Sequence, residues 1–148
     1  MKVRGLAISL LMILVCYGQL ANARVIKIAT LSPDGTAWMK AMRAGAEDIK
    51  KQTEGRVVFK FYPGGVMGND KNVLRKIRIG QLHGGAVTAG SLTSIYPDMD
   101  IYGLPYLFAD EKQVDAVRSK LDKDLLDGLE KKGFVGFGLA GGGFTYMM

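Results

Sequence analysis

The stretch Tyr62-Pro63-Gly64-Gly65-Val66-Met67-Gly68-Asn69-Asp70 decides the fold. Before it, Val57 to Tyr62 is rich in β-branched and aromatic residues and reads as a strand. Pro63-Gly64 is a turn signal. Asn69 or Asp70 opens a helix in which Val73, Leu74 and Ile77 face inward, while Lys71, Arg75 and Arg78 lie on another face and Gly80 stops it. Such a strand–turn–helix brings a glycine, two polar side chains and a helix N-terminus to one place, which suits a small polar ligand.

The same grammar extends on both sides. Val25 to Thr30 alternates as a strand, Leu31-Ser32-Pro33-Asp34-Gly35 is a loop of turn formers, and Thr36 caps a helix with Trp38, Met42, Ala46 and Ile49 on its apolar face. Glu54-Gly55 ends that helix. After Gly80, Gly85 to Thr88 is a short strand of small residues, and Ala89-Gly90-Ser91 is a tight turn leading into a helical turn. Ile101 to Phe108 is apolar, and Pro105 argues against a central strand, so it reads as an extended wall segment. Asp110 caps a helix with Val114, Val117 and Leu121; Leu125, Leu126 and Leu129 form a further stripe up to Gly133, and Phe134 to Leu139 reads as a last strand. Strands alternating with helices predict an α/β fold, a mostly parallel sheet flanked by helices. In such sheets ligands sit beyond the carboxyl ends of the strands, here Leu31 to Asp34, Pro63 to Asp70, Thr88 to Ser91 and Gly141 onward.

Residues 1–23 read as an export signal: Lys2 and Arg4, an apolar run from Leu6 to Val15, and a small-x-small site at Ala21-Asn22-Ala23. The run is short for a membrane span. Residues 24–148 are then an exported chain of about one domain's length. The single cysteine, Cys16, leaves with the signal, which excludes disulfides and thiolate chemistry from the mature chain. Removing Lys2 and Arg4 lowers the formal charge from +6 to +4. That mild charge, without aromatics among the basic residues, argues against nucleic acid; it can help draw in anions.

Catalytic and metal constellations are sparse. His83 is the single histidine, with no converging nucleophile and acid and too few companions for a zinc site, so it reads as a surface turn residue. Gly136-Phe137-Gly138-Leu139-Ala140-Gly141 spells G-x-G-x-x-G, but its glycines fall inside the predicted strand and the following helix and acid are missing. Asp98 and Asp100 read as solvated loop carboxylates, and the Lys71, Arg75, Arg78 face as a solvated helix face. No cofactor is expected. Asp70 is both a helix cap by position and a carboxylate at a strand-end turn. Trp38 reads as core, or as an apolar cleft wall beside the first strand-end loop.

In four stretches the chain resembles the DctP-type solute-binding receptors of TRAP (tripartite ATP-independent periplasmic) transporters. They are Ile26-Lys27-Ile28-Ala29-Thr30 with Trp38; the Tyr62-Pro63 to Asp70 turn, with Met67 where the family has Leu; Ile79-Gly80-Gln81-Leu82; and Leu104-Pro105-Tyr106-Leu107-Phe108. The resemblance implies a periplasmic-binding-protein-like lobe, the first of two that close on a small solute, an organic acid by default, for delivery to membrane subunits. The second lobe, with the family's carboxylate-gripping arginine, would lie beyond Met148. A further family arginine aligns with Thr145, and a threonine cannot grip a carboxylate with a fork. By matching, Asp70, Thr88 and Ser91 face the ligand, and Leu31 offers its backbone; Trp38 is added as a wall. Two other readings stand beside this one: an exported α/β enzyme, and a small stand-alone structural or signalling module.

Overall fold

The structure, a computed structural model, describes residues 23–141. Residues 1–22 of the expected export signal (1–23), the glycines 142–143 and Thr145 lie outside the described residues. The chain divides into two compact units, residues 1–85 and 86–148.

In the first unit, β1 (Arg24–Thr30) and β2 (Val57–Tyr62) pair in parallel, Arg24 opposite Val57 through Ala29 opposite Tyr62. Between them runs α1 (Ala37–Gln52), and after β2 comes α2 (Asp70–Arg78). The strand β3 (Gly84–Ala86) completes a three-stranded sheet in the order β2-β1-β3. The expected α/β lobe is therefore present, with β3 shorter than Gly85 to Thr88.

Caps fall where the sequence places them. Thr36 Oγ1 accepts from Met39 N–H at the start of α1. At α2 the choice between Asn69 and Asp70 is resolved: Asn69 is the cap, accepting from Asn72 N–H, and Asp70 is the first helical residue. The core of this unit is Ala29, Met39, Val73, Leu74 and Leu82. Along α1 Met42 and Ala46 are half-buried as predicted, but the centre of the buried face lies at Met39. Met39 is fully buried, while Trp38 and Ile49 are each 39 % exposed. Neighbouring helical positions differ by about 100°, so a stripe drawn through Trp38 and Ile49 misses the true centre at Met39.

His83 is exposed, as expected, yet it has a structural task. Its backbone N–H donates to Lys27 O and its Nδ1 accepts Lys27 N–H. The side chain thus continues the ladder along β1 just before β3 begins.

In the second unit, α3 (Ala89–Leu92) is a single helical turn, followed by a 3₁₀ helix (Pro97–Gly103) and α4 (Glu111–Lys131). Its core is Met99, Leu125 and Leu129, with Leu92, Ile95, Tyr96 and Tyr102 packed against them. Two expectations are corrected here. Ile101 to Phe108 is not an extended wall: Ile101–Gly103 end the 3₁₀ helix, and Tyr106 turns the chain with φ 61°. The reason is a period of three, which places Tyr96, Met99 and Tyr102 on one side of a 3₁₀ helix. Phe134 to Leu139 is not a sheet strand either, because α4 takes its inner side and no strand pairs with it among the described residues. Asp98 and Asp100 are exposed on the 3₁₀ helix. The two apolar stripes expected after Asp110 belong to one continuous helix, α4, capped by Asp110 through Gln113 N–H.

Candidate functional site: the carboxyl ends of the strands

In the first unit the loop after β1 and the turn after β2 are laced together. Gly64 N–H donates to Ser32 O at 2.9 Å, and Gly65 N–H to Thr30 O at 3.1 Å. Both glycines have positive φ, 65° and 74°, which a side-chain-bearing residue adopts only with strain. Glycine here lets the β2 turn approach β1 backbone to backbone. The Leu31 side chain lies over this contact, its Cδ2 3.3 Å from where a Cβ on Gly65 would stand.

Each loop is also tied to a helix. Ser32 and Thr36 hydroxyls pair at 3.1 Å, and Ser32 N–H donates to Thr30 Oγ1. Arg43 on α1 forks onto Asp34, with Nη2 at 2.9 and 3.0 Å from its two oxygens, and its guanidinium lies 5.7 Å from the Phe61 ring centre. Both ions are about half exposed, so the pair contributes about 1 kcal/mol or less and serves chiefly to orient the loop. On the other side Lys76 Nζ donates to Met67 O at 3.0 Å, drawing the turn onto α2. The sequence reading named neither Arg43 nor Lys76. Arg43 lies nine residues from its partner, as Lys76 does from Met67, and the fold brings each pair together.

Asp70 emerges at the first position of α2, directly after this laced turn, with 7 % of its surface exposed. A carboxylate there is favoured by the helix dipole. Leu31, 43 % exposed, belongs to the same strand-end region. Trp38 is the second residue of α1 and presents a partly exposed indole. In the second unit Thr88 precedes α3 as its N-cap residue, and Thr88 O accepts both the N–H and the hydroxyl of Ser91, at 3.1 and 2.7 Å. Thr88 and Ser91 therefore form one hydroxyl-bearing turn. The G-x-G-x-x-G of Gly136 to Gly141 follows helix α4, not a strand, and lacks the strand–turn setting that a dinucleotide site needs. Among the described residues no group of three His, Asp or Glu side chains is placed to hold a metal ion. No helix of the described residues is long and apolar enough to cross a membrane.

The fold recurs in known proteins. The sugar acid binding protein DctPAm from Advenella mimigardefordensis, crystallised with galactonate, is similar at 28 % identity and a TM-score of 0.71, over 78 % of this chain and 38 % of that one. A TRAP periplasmic solute binding protein from Citrobacter koseri, with bound D-glucuronate, is similar at 30 % identity and a TM-score of 0.64, over 78 % of this chain and 40 % of that one. An uncharacterized protein of Haemophilus influenzae is 26 % identical over 97 residues, 65 % of this chain and 30 % of its own length. The chain thus spans well under half the length of the relatives it matches. The family model for bacterial extracellular solute-binding proteins, family 7, matches residues 28–148. A match over that much of the sequence, on a fold shared with the solved receptors, makes this chain a member of the DctP family of bacterial extracellular solute-binding proteins.

Proposed function

We propose that this chain forms the first lobe of a periplasmic receptor for a TRAP-type transporter, exported by residues 1–23 and folded from residues 24–148. It takes up a small organic acid, a sugar acid in the first instance, and delivers it to membrane subunits without covalent chemistry. The observation that carries this reading is the family match through residues 28–148, within which Asp70 stands at a strand-end turn laced to the loop of Leu31. The solved relatives supply the ligand class: one holds galactonate and another D-glucuronate.

In this reading Asp70, Leu31 and Trp38 of the first unit, and Thr88 and Ser91 of the second, are ligand contacts. Asp70 accepts from ligand hydroxyls, Thr88 and Ser91 supply hydroxyl and backbone donors, Leu31 offers its main chain, and Trp38 gives an apolar edge. A carboxylate in a receptor for acids suits the polyhydroxy end of a sugar acid better than its anionic end, since like charges repel. The acid group is then the task of the opposing lobe. Closure is a hinge movement driven by contacts that the ligand makes with both walls.

Trp38 is the sole tryptophan, so its emission reports on the first unit's contacts directly. Titration of the 148-residue chain with galactonate and D-glucuronate is expected to give weak binding, with Kd of about 1 mM or above, no better than about −4 kcal/mol, since one wall makes only part of the contacts. Asp70→Asn is expected to weaken it further. Micromolar binding by this chain alone would defeat the two-lobe reading, and an unaltered Asp70→Asn titration would remove Asp70 from the site.

A further inference from the structure

Behind the core of the second unit, Arg118 on α4 joins three parts of the chain. Its Nε donates to Asp122 Oδ2 at 3.1 Å, and its Nη2 donates to the backbone carbonyl of Leu139 at 2.5 Å. The Asp122 Oδ1 accepts from the Tyr102 hydroxyl at 2.6 Å. The arginine and aspartate side chains are 28 % and 22 % exposed, the one ion pair among the described residues with both partners below one third. A more distant contact, Nη1 to Asp115 at 3.8 Å, completes the surroundings of the guanidinium.

Leu139 ends a segment that lies back along α4. Phe134 N–H donates to Leu129 O at 3.1 Å, Gly136 sits so close to Leu126 that a Cβ would collide with it, and Leu139 packs on the Met99–Leu125–Leu129 core. The lengths agree. From Leu129 back to Arg118 the helix rises about 16 Å at about 1.5 Å per residue. From Phe134 to Leu139 an extended chain covers about 16 Å at about 3.3 Å per residue. The segment is therefore drawn straight, tied at Phe134 and at Leu139, with Val135 and the wholly exposed Phe137 facing away.

We propose that Arg118 is a positioning residue of the receptor: backed by Asp122 and Tyr102, it pins the Leu139 carbonyl and holds Phe134–Leu139 as a rigid rail on α4. This rests on the receptor reading above, in which the chain leaving this lobe must carry a hinge. A hinge acts reproducibly only if its fixed end is fixed. An arginine suits the task because its planar fork serves a carboxylate and a carbonyl at once, whereas an ammonium on a flexible stem has no such geometry. Ala140 and Gly141 follow, and Gly141 has no side chain to restrain rotation.

The test uses limited chymotrypsin digestion of the 148-residue chain, with cleavage after Phe137 and after Phe61 read by mass spectrometry. Cleavage at Phe137 requires the rail to lift; cleavage at Phe61, in β2, reports general unfolding. Arg118→Ala is expected to raise the Phe137 rate at least tenfold while the Phe61 rate changes less than twofold. Arg118→Lys is expected to behave nearly like Arg118→Ala, and Asp122→Asn to fall between; these two carry the test if the alanine variant does not fold. Equal acceleration at both sites, or none at Phe137 in either arginine variant, would overturn the proposal. In the second arm, galactonate affinity of the 148-residue chain is expected to change less than twofold in Arg118→Lys, since Arg118 is not among the proposed ligand contacts and a hinge acts only through the opposing lobe; a severalfold loss would overturn the positioning role. Should the unmodified chain bind neither galactonate nor D-glucuronate, the receptor reading fails while the cleavage ratio still decides the clamp.

Discussion

Gly85 offers the sharpest test of how the wall of the first unit is built. It lies in β3, where a Cβ would stand 2.7 Å from Val73 Cγ1, 3.2 Å from Ala29 O and 3.6 Å from Ile77 Cδ1. Carbon atoms are at ease at about 3.5–4.0 Å, so Gly85→Ala is short of space by about 1 Å against Val73. Val73 is 1 % exposed and cannot swing aside, and the Ala29 carbonyl belongs to β1. The relief available is a shift of α2 away from the sheet. Overpacking of this kind costs about 1–3 kcal/mol, and the smaller entropy of an alanine chain returns about 0.5–1 kcal/mol. The net expectation is a loss of about 1–2 kcal/mol, which with a urea m-value of about 1–3 kcal/mol/M moves the midpoint down by about 0.3–2 M. Urea denaturation followed by circular dichroism measures this. Gly45→Ala is the matched control: Gly45 lies inside α1 with nothing within 4 Å of its Cβ position, so the change should stabilise by up to about 1 kcal/mol. Adding Val73→Ala to Gly85→Ala should cost less than the sum of the two, because the second change empties the space that the first one needs. A Gly85→Ala chain as stable as the parent, or a pair that is strictly additive, would refute the close packing of α2 on β3.

Three further outcomes are expected. Met39→Ala should cost about 2–5 kcal/mol as a buried truncation, and Trp38→Ala distinctly less because the indole is 39 % exposed; equal losses in a denaturation series would contradict a buried face of α1 centred on Met39. Thr36→Ala should cost about 1 kcal/mol through loss of the cap on Met39 N–H, with Thr36→Ser restoring most of it in the same assay. Burial, and then the hydrogen bond to Asp122, pushes Tyr102 up to about 12 from the ordinary value of about 10. The folded state thus favours the neutral phenol: this contribution to stability is complete below pH about 10 and is lost as pH rises toward 12. Absorbance at 295 nm should show a late tyrosine step that Tyr102→Phe removes; a titration unchanged by that substitution would refute it.

Much of the site was legible locally. Thr36, Asn69 and Asp110 are small polar residues ahead of apolar periodicity, and a cap needs only its own next turn. The Pro-Gly-Gly turn announced itself through backbone chemistry, and the alternation of strand and helix implied the strand-end location of Asp70, Thr88 and Ser91. What escaped was decided at a distance. The face of α1 depends on the sheet beneath it, so Met39 could not be told from Trp38. The 3₁₀ helix over Pro97–Gly103 and the unpaired course of Phe134 to Leu139 follow from packing on α4.

By itself, then, the sequence determined the order of elements, the caps, the turn chemistry and the family resemblance, because each depends on residues a few positions apart. Tertiary structure alone decided that Arg43 holds the Asp34 loop, that Lys76 draws in Met67, that His83 continues β1, and that Arg118 grips Leu139. These are contacts between groups brought together by burial of the apolar faces, and no local periodicity encodes them.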